Sequence, residues 1–512
     1  MLRLLAIALA LAPVAAGQAA YSVTLPDDGT RGAARDALHR GVELLHSFEY
    51  DDARDAFREA RRLDALSVMA AWGEAMTHNH PVWQRQNTVE GRAVVAEIDD
   101  VVARRRDRGR SMSAGAEAIE SYLDAVQTLF GTSGGPDKET RDDLYLDAMA
   151  RHAAQHPSDR DGRAFYALAL LGSAHEGRDV EVYEHAARVA QGVLDTAPDH
   201  PGALHYLIHA YDDPEHAHLA LPAAEAYSEI VSAASHALHM PTHIYFALGR
   251  WEQASALNTR SYRAARDASA RRGEALNNHG WHALYWLNYS ELQLGRDERA
   301  MALLDTARAR YLTSPSPLAL AHLVRMRAQT AVTHVALNVG PAGPTGPDSA
   351  LWRAFELDLP VDSASASTRA ADLVASTMLL GGHGDMGARA AAIVGDAEAP
   401  ALARATAQMV VGLASARDRA AVTRDIVAAA EAIEATPITF GPPLPALFPH
   451  ELLVMVGLTG PDRDLARCLL DAVEARAPGR RITAVLRDGV DNAPSTPSGD
   501  AMAVTPSFCA RD

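Results

Sequence analysis

Apolar residues recur at three- and four-residue intervals along almost the whole chain, the stagger that lays one stripe along one face of a helix. In GVELLHSFEYDDARDAFREARRLDA (41–65), Gly41 is a close-packing position on a first helix. Ala53, Phe57 and Ala60 follow as small, aromatic and small positions on one face of a second. Alanine is abundant and β-branched runs are few. The pattern predicts an all-α protein made of antiparallel helix pairs, with no sheet beyond isolated bridges.

The same register falls on later segments. In APDHPGALHYLIHAY, Pro198 closes one unit and Leu204, Leu207 and Tyr211 take the buried places of the next first helix. Leu238, Tyr245, Gly249 and Ala254 take them in SHALHMPTHIYFALGRWEQA, and Leu284, Leu287, Gly295 and Ala300 in WHALYWLNYSELQLGRDERA. First helices are predicted to begin near 202, 236 and 281. On these residues the chain resembles the tetratricopeptide repeat (TPR), a helix–turn–helix unit of about 34 residues. The resemblance covers 34–67 and 199–310, and more loosely 446–480. The blocks LLHSFEYDDARDAFREA…MTHNHPVW and HYLIHAYDDPEHA…HALHMPTHI are also similar to an exported bacterial TPR family. The resemblance implies a TPR-like right-handed α–α superhelix, a solenoid whose first helices line a concave groove. It implies no reaction.

Two histidine pairs, His205 with His209 and His239 with His243, are each spaced i, i+4, and the second follows the first by 34 residues. That interval is the repeat length, so the pairs belong to neighbouring first helices. In the TPR register they take positions 5 and 9, which share the groove-facing side with position 2. Position 2 is Gly202, then His236, then His282; in the following repeat positions 5 and 9 are Tyr285 and Tyr289. An i, i+4 pair places two imidazoles within reach of one ion, and imidazole suits Zn, Cu, Fe and Ni. His205, His209, His239 and His243 are therefore the predicted metal ligands, expected to converge on one cavity and to hold one or two ions of Cu, Zn or Fe. His78, His80, His236, His282, Tyr285 and Tyr289 are further candidates for the metal or the groove, with His175, His279 and His450 more remote. The acidic run Asp212–His216 is placed to orient imidazoles from behind. An exported protein binding a transition metal follows, with metal-dependent oxidation as one activity. A peptide- or partner-binding scaffold, or metal sequestration without turnover, is the competing reading.

Charge and composition narrow the partners. The net charge of −17 argues against nucleic acid and against anionic membranes, leaving a small molecule or peptide in the groove. Residues 1–19 read as a secretory signal peptide, with Arg3 before an apolar run from Leu4 to Leu11 and small residues from Val14 to Ala16. The mature chain is then periplasmic or secreted, with no membrane insertion. Such a compartment permits Cys468 and Cys509 to pair, though free thiols fit the sequence equally. The Gly/Pro-rich stretch 338–350 marks the main break, between an array over 30–337 and a helical segment over 351–487; 488–512 reads as a flexible tail. No G-x-S-x-G elbow, phosphate loop or dinucleotide fingerprint is present.

Overall fold

The computed structural model describes residues 21–110, 115–231, 234–337, 359–380, 385–414, 418–436, 445–457, 462–492 and 505–509. The signal segment 1–19 and the break at 338–350 lie outside the described residues. Among those described there are 22 α-helices and one two-stranded ribbon, so the all-α expectation holds there. Helices α1 (Gly32–His46), α2 (Tyr50–Leu63) and α3 (Val68–Met76) precede the ribbon β1 (Asn79–His80) and β2 (Arg85–Gln86). Then come α4 (Thr88–Asp107), α5 (Ala116–Phe130), α6 (Lys138–Gln155), α7 (Arg160–Gly172) and α8 (Val180–Leu194). The central helices are α9 (Pro201–Ala210), α10 (Ala217–Ile230), α11 (Ser235–Ala247), α12 (Trp251–Arg272) and α13 (Asn278–Gln293). Beyond α14 (Asp297–Thr313) and α15 (Pro317–Leu337), seven more helices lie between Ala366 and Asn492. Each helix packs mainly against its neighbours in sequence, as helix pairs stacked into an array do. Contacts of α9 with α1 and α7 are exceptions, and they matter for the site.

The helix starts follow from capping. Helix α9 opens with Pro201 at its first position, where a missing N–H costs nothing, and His200 accepts the Ala203 N–H through Nδ1 at 3.2 Å. Helix α13 begins three residues before the expected 281, because Asn277 Oδ1 accepts the Gly280 N–H at 3.0 Å. Helix α12 is 22 residues long, which stretches the interval from His236 to His282 beyond one repeat length.

Packing in the first pair bears on the repeat reading. Phe57 is fully buried, and a Cβ built on Gly41 or on Gly73 would stand 2.6 or 2.3 Å from its ring. The Phe57 ring is therefore wedged between α1 and α3, against bare backbone on both sides. The largest core cluster runs from Ala37 to Tyr289 and so unites the first thirteen helices.

The C-terminal helices join the array through a buried node. Arg480 is 1% exposed and pairs with the fully buried Glu451, while its Nη1 donates to the Tyr289 hydroxyl at 2.6 Å. Trp251 Nε1 donates to the Gly479 carbonyl nearby at 2.9 Å. The last helix, α22 (Arg481–Asn492), carries regular structure five residues past Arg487, into the stretch read as a tail. Cys468 and Cys509 form a disulfide, with Cα atoms 5.9 Å apart, which fastens the end of the chain to the helix spanning Arg463–Arg476.

Candidate metal centres

The four predicted ligands do not form one cluster. They divide between two, and each recruits a third histidine from the next first helix. His205, His209 and His236 present ligand atoms within 4.8 Å of one another, and so do His239, His243 and His282. Each triad combines positions 5 and 9 of one first helix with position 2 of the next, so α9 is completed by α11 and α11 by α13. Ring centroids repeat accordingly: 4.8, 5.2 and 6.2 Å in the first triad, and 4.7, 4.7 and 6.2 Å in the second. Where at least three of the four were expected about one point of a shared cavity, each group holds two of them. Neighbouring first helices are offset along the stack, so position 2 of the next helix stands closer to a pair than that helix's own positions 5 and 9.

Hydrogen bonds fix which nitrogens are free in the second triad. Asn258 donates its amide N–H to the Ala254 carbonyl at 3.0 Å, which turns Oδ1 toward His239. His239 must then donate from Nδ1, at 2.7 Å. His243 donates from Nδ1 to the buried carboxylate of Asp212 at 2.7 Å. Both Nδ1 protons are thereby committed, and the two Nε2 lone pairs face each other at 2.8 Å. Two lone pairs pressed together repel unless a cation sits between them. This is the arrangement in which carboxylate and amide partners orient metal-binding imidazoles. The expectation that the Asp212–His216 run supplies such a partner is met by Asp212; Asp213 instead pairs with Arg178 and His216. The third ring, His282, accepts from Trp286 Nε1 at 3.2 Å through Nε2, so its lone pair reaches an ion only when that bond is given up.

In the first triad His205 donates from Nδ1 to the main-chain carbonyl of His46 at 2.7 Å, a carbonyl left over at the end of α1. Its Nε2, both nitrogens of His209 and Nε2 of His236 are buried with no hydrogen-bond partner among the described residues. Orphaned buried polar atoms cost about 1–3 kcal/mol each, so several in one place call for a ligand. Phe48 lies against all three rings, 4.4 Å from His205, 5.5 Å from His209 and 5.6 Å from His236. It holds φ at +56°, a left-handed conformation unfavourable to a residue with a Cβ, and backbone strain of this kind gathers at functional sites.

A third group, His46, Asp161 and His200, also meets the distance condition for an ion. Most of its atoms are already partnered, although His200 Nε2, 3.4 Å from Asp161 Oδ1, makes no regular hydrogen bond among the described residues. His46 engages Asp161 through Nε2 at 2.8 Å and the Tyr206 hydroxyl through Nδ1 at 2.9 Å. His200 uses Nδ1 to cap α9. Asp161 also receives Tyr21, the Thr24 N–H and the Thr24 hydroxyl. Burial pushes the Asp161 carboxyl up, but the His200 and His46 bonds prevail and hold it well below the usual range. This node positions the end of α1, whose last carbonyl orients His205. It depends on Gly202, where a Cβ would stand 2.3 Å from the His46 ring. Sequence reasoning passed over it because His46 and Asp161 are 115 residues apart and belong to no shared motif.

The other candidates lie elsewhere. Tyr289 is taken by Arg480. Tyr285 packs on Trp286, with ring centroids 5.0 Å apart. His80 stacks on Tyr50 at 3.8 Å, and His78 is buried after α3 with Nε2 unpartnered. His175 pairs with Asp143 and His450 approaches Glu434.

Burial favours the neutral form of five of the six triad rings. It depresses His205 to about 3 and holds His209, His236, His239 and His282 well below the ordinary histidine value, with charge on neighbouring histidines adding to the effect. The unfolded chain, whose histidines titrate near ~6.5, therefore binds more protons than the folded one as pH falls through that value. Their contribution to stability is complete above ~6.5 and is lost progressively below it, for His205 down to about 3. We expect the thermal midpoint of metal-stripped protein to fall between pH 7 and pH 5, read by calorimetry. A flat or rising midpoint would mean that these rings are charged in the fold.

No family model matches the chain, and comparison with curated proteins finds no similar sequence.

Proposed function

We propose that this protein binds transition-metal ions in the concave groove of an exported TPR-like superhelix, with the histidine triads as ligands. One observation carries the reading: the Nε2 atoms of His239 and His243 face each other at 2.8 Å while both Nδ1 protons are committed to Asn258 and Asp212. Bonds of about 2.0–2.1 Å from each nitrogen to one shared ion resolve that repulsion. Copper, zinc and iron are the ions that suit such a donor set. A redox-active ion there would supply one-electron chemistry; the protein's part is to hold the imidazoles in place through Asn258 and Asp212. Export is supported by the signal-like start of the chain and by the disulfide Cys468–Cys509, which is at home in an oxidising compartment. Among the described residues no helix is long and apolar enough to cross a membrane.

A second reading rests on a cleft of about 560 Å³ beside the first triad, lined by Phe48, Trp83, His80 and His279, with Trp83 41% exposed. In that reading the groove takes a peptide or partner and the histidines are polar contacts. Metal analysis separates the two. Mature protein, stripped with chelator and offered copper, zinc and iron in turn, is expected to retain at least one equivalent through gel filtration. It should also unfold at a higher temperature when loaded. Retention of none, with the fold intact, would put the scaffold reading first.

A further inference from the structure

The two triads share one plan but differ in charge. In the second, the buried carboxylate of Asp212, 1% exposed, is hydrogen-bonded to a ligand imidazole, and its Oδ1 has no partner. A negative charge is thus built in directly behind His243. In the first, no carboxylate among the described residues is hydrogen-bonded to any of the three rings. His205 leans on a neutral carbonyl, Phe48 covers all three rings, and Tyr227 lies parallel to His205 at 5.5 Å. Glu49 reaches this region, but its Oε1 accepts the main-chain N–H of His236 and its Oε2 stands 3.6 Å from His279. Its charge is thus spent on the start of the His236 helix and on His279, and among the described residues it is hydrogen-bonded to no imidazole of the triad.

Burial of an ion in a ring-lined pocket costs free energy that rises with the square of its charge; ligand lone pairs offset part of it, and opposite charge nearby offsets more. Three neutral imidazoles lend electron density but no net charge. A divalent ion in the first triad would keep its full double charge in a dry place, at about four times the Born cost of a monovalent one. The second triad has a carboxylate to set against a divalent ion. Among metals that imidazole binds well, copper is the one with an accessible monovalent state.

Resting on the metal-binding reading above, we propose that the triads are two sites of different charge preference. His205, His209 and His236 take a cuprous ion, and His239, His243 and His282 take a divalent ion such as zinc.

The test titrates stripped mature protein anaerobically with Zn(II) and with Cu(I), each against a colorimetric chelator. Wild type should take one equivalent of Zn(II), and the zinc-loaded protein should still take one of Cu(I). The double variant His205→Ala with His209→Ala should lose the Cu(I) equivalent and keep the zinc. Asp212→Asn keeps the shape and removes the charge, so it remains informative should the double variant fold poorly. It should weaken zinc about 10–100-fold and leave Cu(I) unchanged. Two equivalents of zinc in wild type, or an Asp212→Asn effect that is equal on both ions, would overturn the assignment while the metal-binding reading stood. Uptake of neither ion would remove that reading itself.

Discussion

Replacement of His239 and His243 together by alanine is expected to remove the second triad's ion completely and to leave helical content unchanged. Both nitrogens that face the shared point are lost, and His282 alone cannot hold an ion against a chelator. The helix survives because the two rings bond sideways, to Asn258 and Asp212, and supply none of the α11 backbone hydrogen bonds. Alanine is also the best helix former. Metal content by mass spectrometry and far-UV circular dichroism read the two halves. A variant that keeps the full wild-type complement would show that the bound ion belongs to other residues, such as His78. Loss of metal together with helicity would mean that the pair holds the fold and would make the metal result uninformative. The single substitution His282→Ala then decides, since that ring lies on α13 and its loss leaves α11 untouched.

Phe57→Ala should cause the largest loss of stability, about 3–5 kcal/mol, because an aromatic ring in a closed site leaves a cavity that cannot collapse. The glycines at 41 and 73 have no side chains to move into the space, and the backbones of α1 and α3 would have to shift instead. The effect should reach the metal sites. Helix α1 ends at His46, whose carbonyl orients His205 and whose ring is held by Asp161. We therefore expect weaker metal binding at the first triad than at the second in this variant, with chemical denaturation giving the stability change. A loss below about 1 kcal/mol would mean that the site collapses around alanine after all.

These two variants also mark how far the chain could be read without its structure. The helices, their pairing and the starts of α9 and α11 follow from short-range facts: apolar spacing, Pro201 and the repeated register. Phe57 with Gly41 was legible for the same reason. That the histidine pairs share a face was legible as well, since i, i+4 is one helical turn and 34 residues is one repeat. Asp212 was visible as a carboxylate that follows the first pair. Its partner is His243 of the second pair, which no spacing announces. The division of four ligands into two triads depended on the offset between adjacent helices, a packing quantity set by every side chain in the seam. The commitment of the His239 Nδ1 depended on Asn258, one helix further on, and that of the His243 Nδ1 on Asp212. The node of His46, Asp161 and His200 joins α1, α7 and the start of α9, which meet only because the array brings α9 against helices far from it in sequence. Periodicity along one chain therefore settled which residues share a helical face. Which of them come together closely enough to hold an ion, and what lies behind them, was decided by contacts between helices, because metal binding and hydrogen bonding depend on ångström-scale positions that local pattern does not encode.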